Sequence, residues 1–294
     1  MKRFSSMMRP RGTSSLQLPV CIGPISVWVT LFVVTPLAII LYFSFLKSGL
    51  YGEIIPTLTL ENYRAVIEAG YQGILFRSFL FTVTATALCI LLGYPVAYWI
   101  AIYGGKWKTY LMFLVVLPEW TDYLIRLYAL KNIVSSTGML NGLLTRLGLI
   151  SSPLDLLYTP FAVMLGLVYT WLPYMILPIY ASLSGLDPNL LKAAADLGAT
   201  PLQRFFTVTL PLSKGGVFAG TILVAIPCLG EWLVPHLFGG DRVMMVGSLV
   251  AFKFTKVGNI PEGSSLALML TATVLLLIYL LIKWGGEEAL EKII

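Results

Sequence analysis

The sequence predicts an all-α integral membrane protein with six transmembrane helices and a cytoplasmic helical loop between the fourth and fifth spans. Of its 294 residues, 57% are hydrophobic and 12% are charged, which is about half the charge of a typical soluble domain. Long apolar stretches recur along the chain, and about 20 apolar residues suffice to cross a bilayer. This composition excludes an ordinary soluble enzyme. The surplus of six positive charges forms no stripe that could follow nucleic acid phosphates.

Four apolar stretches contain no Asp, Glu, Lys or Arg and are long enough to be spans. They cover residues 20–46, 78–103, 156–186 and 263–282. The third is longer than one span and must include flanking loop. Two further stretches, 110–130 and 216–238, keep the length and apolar density of a span but contain charged residues. Together these stretches predict six helices and a transmembrane domain over 18–286.

Basic residues in short loops indicate how the spans are oriented. The segment 1–17 holds four basic residues and no acid, and the apolar stretch after it is too long for a signal peptide. It is predicted to be an uncleaved cytoplasmic tail. The loop 104–109 and the loop between spans four and five are also basic, so both termini, including a short tail at 287–294, are expected in the cytoplasm. The outward loops are basic too, which weakens the bias.

The loop at 187–213 is predicted to contain two short helices, of which the first follows Asp187. An aspartate before Pro188 provides an N-cap and a proline at the first helical position. Gly198 suits the end of this helix because glycine tolerates the left-handed conformation. The alanines at 193–195 leave one side with little bulk, so that another protein could approach the backbone closely.

The second short helix is predicted to begin in the same way, with an N-cap residue followed by a proline. Thr200 before Pro201 starts it, and it is expected to run to about Val208 and to end at Leu210 and Pro211, before the fifth span. Two helices joined at a glycine form a rigid projection, which we call the coupling loop (187–213). The alternative is an amphipathic loop that lies on the lipid surface.

The coupling loop carries a recognisable spacing. The segment KAAADLG at 192–198 is followed, nine residues later, by VTLP at 208–211. This resembles the cytoplasmic signature of the membrane subunits of bacterial binding-protein-dependent ABC importers, which reads Glu-Ala-Ala, three residues, Gly, nine residues, Ile-x-Leu-Pro. All spacings match. The departure is Lys192, which stands where the family usually has Glu and puts any salt bridge of that position in doubt.

The resemblance extends to the permease subunits of spermidine/putrescine importers, in segments such as LPEWTDYLIRLYAL and LVYTWLPYMILPIYASL. It implies the type I importer permease fold in the bacterial inner membrane, with membrane lipid around it. It also implies a second homologous permease, a dimer of ATP-binding subunits that hold ATP and Mg, and an extracytoplasmic solute-binding protein. This chain itself would bind no cofactor. The residues implied in ATPase coupling are Asp187, Pro188, Lys192, Ala193, Ala194, Ala195, Asp196, Gly198, Pro201, Leu210 and Pro211.

Acidic residues within two predicted spans point to the solute pathway. Glu119, Asp122 and Arg126 have i, i+3 and i+7 spacing, which predicts one shared face of the third helix. At about 1.5 Å per residue from the inner edge, Glu119 lies about 15 Å deep. An unpartnered acid there costs about 3 kcal/mol, and carboxylates with aromatic faces suit an ammonium ion. The predicted pathway residues are Glu119, Trp120, Asp122, Tyr123, Arg126, Trp171, Tyr174, Glu231 and Trp232.

These charged residues also have structural explanations. Arg126 could neutralise Asp122 or Glu119, and Glu231 could pair with the partner permease. The GxxxG formed by Gly216 and Gly220 could mark a close helix contact with that partner.

The sequence therefore favours a non-catalytic permease subunit that forms half of the pathway for a small cationic solute, most simply a polyamine. Another organic amine, an opine or an amino acid derivative is the alternative cargo. An ion-coupled carrier or channel would use the same acids but has no need of the coupling loop. A membrane enzyme is disfavoured because no nucleophile and base pair is present, His236 being the single histidine. The three cysteines lie in apolar stretches and predict neither a disulfide nor a metal site.

Overall fold

The computed structural model describes residues 17–49 and 52–285, and most of them lie in helices. Residues 1–16 of the predicted N-terminal tail, and the predicted C-terminal tail, lie outside the described residues. The helices are α1 Gln17–Val29, α2 Thr35–Ser44, α3 Glu61–Glu68, α4 Gln72–Tyr103, α5 Lys108–Val116, α6 Tyr123–Val134, α7 Met139–Arg146, α8 Pro160–Ser184, α9 Pro188–Asp196, α10 Pro201–Arg204, α11 Leu210–Leu212, α12 Lys214–Leu229, α13 Val246–Phe252 and α14 Ile260–Gly285. Short 3-10 or π-helical turns lie at Thr30–Val34, Gly105–Trp107, Leu117–Trp120, Phe205–Thr209, Pro235–Gly239 and Lys253–Val257.

Four helices of the described chain are long and apolar enough to cross a membrane. They are Gly23–Ser44, Gln72–Tyr103, Pro160–Ser184 and Ile260–Leu280. Each coincides with one of the four uncharged stretches, and the long third stretch includes flanking loop as expected. A fifth candidate is the pair Pro201–Leu212 and Lys214–Leu229, which is bent by 61° at Ser213. The stretch 110–130 is not one continuous helix, so the count of six spans stays a prediction.

The core lies where α4, α8 and α12 pack together. Small residues let these helices approach closely: a Cβ at Gly93 of α4 would lie only 3.2 Å from Cγ1 of Ile176 in α8. Cys89 and Cys228 are buried in this core as free thiols. Proline also lies inside α4 and α8, where apolar neighbours rather than local helix propensity stabilise the helix.

The GxxxG of α12 faces α8 of the same chain. A Cβ at Gly216 would lie 2.6 Å from the carbonyl oxygen of Pro178, and one at Gly220 would lie 2.6 Å from the sulfur of Met175. The close contact that this motif marks is therefore within the subunit, and the assignment to a partner permease is wrong. The motif indicates only that two helix backbones pack closely together. Two helices of the same chain can make this contact as well as helices of two chains.

A small two-stranded sheet follows the first predicted span. Strands β1 Leu46–Ser48 and β2 Ile54–Leu58 pair antiparallel. Ser48 donates a hydrogen bond to Oδ1 of Asn259, 3.0 Å away. Asn259 in turn precedes α14, and Glu262 in the first turn of α14 forms an ion pair of 2.7 Å with Lys253. Burial lowers the pKa of Lys253, but the hydrogen bonds and charge interactions with Glu262 and Tyr71 together outweigh burial and raise it. The ion pair joins the Lys253–Val257 turn to α14.

Candidate functional site

The predicted third span is interrupted at its acidic residues. Helix α5 ends at Val116, and a 3-10 turn covers Leu117–Trp120. Thr121 is extended, with ψ of 150°, and Asp122 then caps α6 by accepting a hydrogen bond of 3.2 Å from the backbone N–H of Ile125. The expectation that the three charged residues share one face of a continuous helix is therefore wrong. Pro118 in the turn and the Asp122 cap favour a new helix start over continuation.

The predicted fifth span is also interrupted at its acid. Helix α12 ends at Leu229, and the next two residues, Gly230 and Glu231, are not helical. The start of α13 packs against this break, because a Cβ at Gly247 would collide with the backbone carbonyls of both residues. Both spans thus break where their buried acids lie. Within a membrane such irregular backbone is tolerated where protein or a water-filled cavity surrounds it.

Glu119 already has a cationic partner. Arg126, one turn into α6, holds it with two hydrogen bonds, of which the one from Nη2 to Oε2 measures 2.9 Å. The hydroxyl of Tyr174 in α8 donates a further hydrogen bond of 3.1 Å to the same oxygen. Only 10% of the Arg126 side chain and 14% of the Glu119 side chain are exposed. Of the two structural pairings considered for Arg126, the one with Glu119 is confirmed and the one with Asp122 is wrong.

Glu231 differs from Glu119 because its partners are neutral. Tyr123 donates a hydrogen bond of 2.8 Å to Oε2, and the backbone N–H of Leu233 donates one of 3.0 Å to Oε1. Only 7% of Glu231 is exposed. Among the described residues, no lysine, arginine or histidine nitrogen lies within salt-bridge distance of this carboxylate. A buried carboxylate held by neutral donors can attract a cation.

The two acids face one cavity of about 320 Å³. It lies between the two broken spans and α8, and two carboxylates with one guanidinium leave it with a net negative charge. Its lining contains aromatic rings beside the charged groups, as expected for an ammonium site. The lining residues are Glu119, Thr121, Tyr123, Arg126, Thr170, Trp171, Tyr174 and Glu231.

Three predicted pathway residues lie outside this cavity. Trp120 is 73% exposed and its ring meets that of Phe113, while Asp122 is exposed and acts as the cap of α6. Trp232 lies in a separate cavity of about 150 Å³ together with His236. Each of the three is the immediate sequence neighbour of a lining residue. The broken backbone at these positions directs its side chain away from the cavity.

Sequence reasoning missed two lining residues, Thr121 and Thr170. Thr170 lies one turn before Tyr174 on α8, so i, i+4 spacing from a predicted site residue could have found it. Thr121 carried no such signal, because its position depends on the extended backbone at the break.

The coupling loop has the predicted local structure in its first half. Asp187 caps α9 by accepting a hydrogen bond of 2.9 Å from the backbone N–H of Asn189, and Gly198 adopts φ of +84°. Thr200 and Gln203 form a capping box at the start of α10. The end of the second helix was predicted wrongly: the helical path continues beyond α10 as the π-helical turn Phe205–Thr209 and then as α11, so that it ends at Leu212. The wider turn lies directly before Leu210 and Pro211, and proline has no N–H to donate to it.

The coupling loop leaves a row of apolar side chains exposed. No residue of Pro188–Asp196 is buried, and Leu197 is 90% exposed. Leu190, Leu202 and Phe206 are also exposed. The opposite side of the loop packs against the transmembrane helices. The rings of Tyr94 and Tyr98 in α4 contact the ring of Phe205 at centroid distances of 5.5 Å and 5.7 Å. The loop is thus fixed to the transmembrane helices and presents an unpartnered apolar surface.

Residues 19–284 match the family described as "Binding-protein-dependent transport system inner membrane component". The chain belongs to this family. The prediction of a permease subunit of a binding-protein-dependent importer is therefore confirmed. Among the described residues, no group of three or more His, Cys, Asp or Glu side chains could hold a metal ion.

The chain is similar over most of its length to curated permeases. It is 41% identical to the spermidine/putrescine transport system permease protein PotB of Haemophilus influenzae, over 86% of this chain and 88% of that protein. It is 37% identical to PotB of Escherichia coli, over 90% and 96%. It is also 32% identical to the inner membrane ABC transporter permease protein YdcU of Escherichia coli, over 81% and 80%.

Solved structures share the fold. A bacterial ABC transporter involved in the import of the acidic polysaccharide alginate matches with a TM-score of 0.68 at 15% identity, over 92% of this chain and 95% of that one. The same kind of transporter in complex with an alginate pentasaccharide-bound periplasmic protein matches with a TM-score of 0.69 at 16% identity, over 93% and 95%. The type I importer permease fold is thereby confirmed.

Proposed function

We propose that this permease forms half of the pathway for a small organic cation, most simply a polyamine, and that Glu231 binds an ammonium group of that solute. The observation that carries the proposal is a carboxylate that is 7% exposed, lines a cavity and has only neutral hydrogen-bond donors. The PotB relatives are named for spermidine and putrescine transport, which supports the same class of cargo.

Glu119 plays a different part in this proposal. Because Arg126 neutralises it, the cavity offers one free carboxylate from this chain, and a second ammonium of a polyamine would need an acceptor from the partner permease. The rings of Trp171 and Tyr174 complete the site by offering their faces to alkyl ammonium groups. The exposed Trp120, Asp122 and Trp232 would contact solute only outside this cavity.

The coupling loop would dock on a cytoplasmic ATPase subunit. Its exposed leucines and Phe206 form the kind of apolar surface that marks a protein interface. In the complete transporter we expect a second permease, two ATPases that hold ATP and Mg, and an external solute-binding protein. Both termini would face the cytoplasm. Closure of the ATPases would move the loop, and the packed α4, α8 and α12 would carry that motion to the cavity.

The test is solute-stimulated ATP hydrolysis by the complex reconstituted in vesicles, comparing Glu231→Gln with the original protein. The glutamine oxygen can accept the hydrogen bond from the backbone N–H of Leu233, and its NH2 group can donate to the Tyr123 hydroxyl, so we expect the variant to fold. Loss of a charged hydrogen bond should raise the polyamine concentration for half-maximal stimulation about 10-fold to 100-fold. Asp122→Asn is the matched control, since it removes an acid outside the cavity.

An unchanged response of Glu231→Gln to polyamines would contradict the assigned site. Stimulation by another organic amine, opine or amino acid derivative alone would keep the site and replace the cargo. Stimulation only by neutral or anionic solutes would overturn the cation proposal. Transport by the chain alone without ATP would favour an ion-coupled carrier.

A further inference from the structure

A second cavity lies at the junction of α4 and α5, away from the acidic site. Its volume is about 450 Å³, and its walls are almost entirely apolar. Trp99 and Tyr103 line it from α4, one helical turn apart, and Tyr110 and Leu114 line it from α5 with the same spacing. The two helices diverge from the short turn between them and leave an open slot, which we call the aromatic slot.

None of the residues that the structure describes fills the aromatic slot. Tyr103 and Tyr110 remain 66% and 65% exposed, and Trp107 at the turn remains 59% exposed. Large side chains with this exposure, gathered around one groove, form a surface that another apolar group can cover.

Two lysines lie beside the lining of the aromatic slot, at the turn between α4 and α5, and we call this turn the mouth of the slot. Nζ of Lys106 lies 5.9 Å from the ring centroid of Trp107. The side chain of Lys108 packs against Gly104, which lines the slot: its Cγ lies 2.9 Å from where a Cβ of Gly104 would be. No aspartate or glutamate occurs between residues 69 and 118 of the sequence. An apolar groove with a positive mouth is thus complementary to an apolar chain with an anionic head.

The slot lies at the end of the bundle that carries the coupling loop. Tyr98 connects the two, since its ring lies 5.7 Å from Phe205 of the loop and 6.0 Å from Tyr103 of the slot. With the orientation given under the proposed function, this end faces the cytoplasm. Aromatic residues and lysines at this depth match the boundary between acyl chains and head groups.

We propose that the aromatic slot binds an anionic phospholipid of the cytoplasmic leaflet. An acyl chain lies between α4 and α5, and Lys106 and Lys108 hold the phosphate, whose charge no ammonium of the head group neutralises. The anionic lipid is favoured over a protein helix because neither lysine forms a salt bridge with a carboxylate of the described residues. The bound lipid would fix the turn between two helices that lead to the coupling loop and to the acidic cavity.

Native mass spectrometry of the purified complete transporter tests this proposal, with phosphatidylglycerol and phosphatidylethanolamine of identical acyl chains as probes. The original protein should retain phosphatidylglycerol preferentially. Each of Lys106→Gln and Lys108→Gln should lower its retention roughly fivefold, and retention of phosphatidylethanolamine, whose phosphate is paired with its own ammonium, should fall less. The readout needs neither solute nor ATP, so it stands apart from the transport assay.

Lys131→Gln is the matched control, because Nζ of Lys131 also lies over an aromatic ring, 5.7 Å from the centroid of Tyr158. An equal effect of this control, or equal retention of the two lipids, would overturn the proposal. A photoreactive group placed at Tyr110 in vesicles should capture phospholipid. Capture of the second permease instead would show that protein covers the slot and would also overturn it.

Discussion

Glu119 and Glu231 are both buried acids of broken spans, yet their surroundings give them different chemistry. Burial of a carboxylate is costly unless a partner compensates it, and Arg126 does so for Glu119 in bidentate geometry. Glu231 has the Tyr123 hydroxyl and one backbone N–H instead. At the scale of single residues, the second acid is the one without a cationic partner among the described residues, and it is the one that we propose to bind the solute.

Asp122 provides a residue-scale prediction because its carboxylate caps α6. Removal of the cap in Asp122→Ala should lower the free energy of unfolding by about 1 kcal/mol, whereas Asp122→Asn keeps a capping oxygen and should be nearly neutral. Thermal unfolding of the purified complex measures both. A large loss of polyamine response in Asp122→Asn, with stability unchanged, would instead assign this acid to the solute pathway.

At the scale of elements, the breaks in the third and fifth spans matter more than the helices beside them. A continuous helix would have carried Glu119 and Arg126 at a spacing of seven residues, nearly two turns apart. The 3-10 turn and the extended Thr121 bring them into direct contact. Interrupted helices thus place polar groups at one cavity.

Leu197 tests the coupling loop as an element. Leu197 is the C-cap residue of α9 and precedes Gly198. Leu147 is likewise the C-cap residue of α7 and precedes Gly148, and both glycines have positive φ. Leu197→Ser should reduce co-purification of the ATPase and its stimulated activity about tenfold or more, because an exposed apolar contact is lost. Leu147→Ser, with the same local structure on a different loop, should leave both unchanged. Equal effects of the two variants would argue against docking.

The contact between α8 and α12 gives a second element-scale prediction. A methyl group at Gly216 would meet the backbone oxygen of Pro178, which cannot move independently, whereas one at Gly220 first meets the flexible sulfur of Met175. Gly216→Ala should therefore destabilise the protein by about 1–3 kcal/mol, and Gly220→Ala by clearly less. Unfolding midpoints of the two variants in detergent give the comparison. The reverse order would contradict the described packing.

At the scale of the whole molecule, orientation follows from one measurement. In a background without the three native cysteines, Leu58→Cys and Asn189→Cys place single thiols on exposed residues of β2 and α9. An impermeant thiol reagent should label the first in intact spheroplasts and the second only after permeabilisation. Labelling of Asn189→Cys in intact spheroplasts would overturn the proposed cytoplasmic position of the coupling loop.

The whole fold does not determine the cargo. Transporters of the acidic polysaccharide alginate share this architecture with TM-scores of 0.68 and 0.69. An anionic cargo and the cation proposed here would therefore use the same arrangement of helices. Whether such a transporter accepts an anion or a cation depends on the side chains that line its solute site, such as Glu231 in the site proposed here.

The sequence by itself determined the class of protein and the local structure of the coupling loop. Apolar stretches of span length reveal membrane helices because the bilayer imposes their length and composition. Asp187 and Thr200 with the prolines that follow them determine helix starts through contacts within a few residues.

Only the tertiary structure decided which buried acid has a cationic partner. Periodicity assumes an unbroken helix, and it therefore grouped Glu119, Asp122 and Arg126 on one face. The actual grouping depends on breaks in two spans and on Tyr174 from α8, which lies 55 residues from Glu119 in the chain. Contacts between distant segments, which local spacing does not encode, hold Glu119 beside Arg126 and Tyr174 and leave Glu231 with Tyr123.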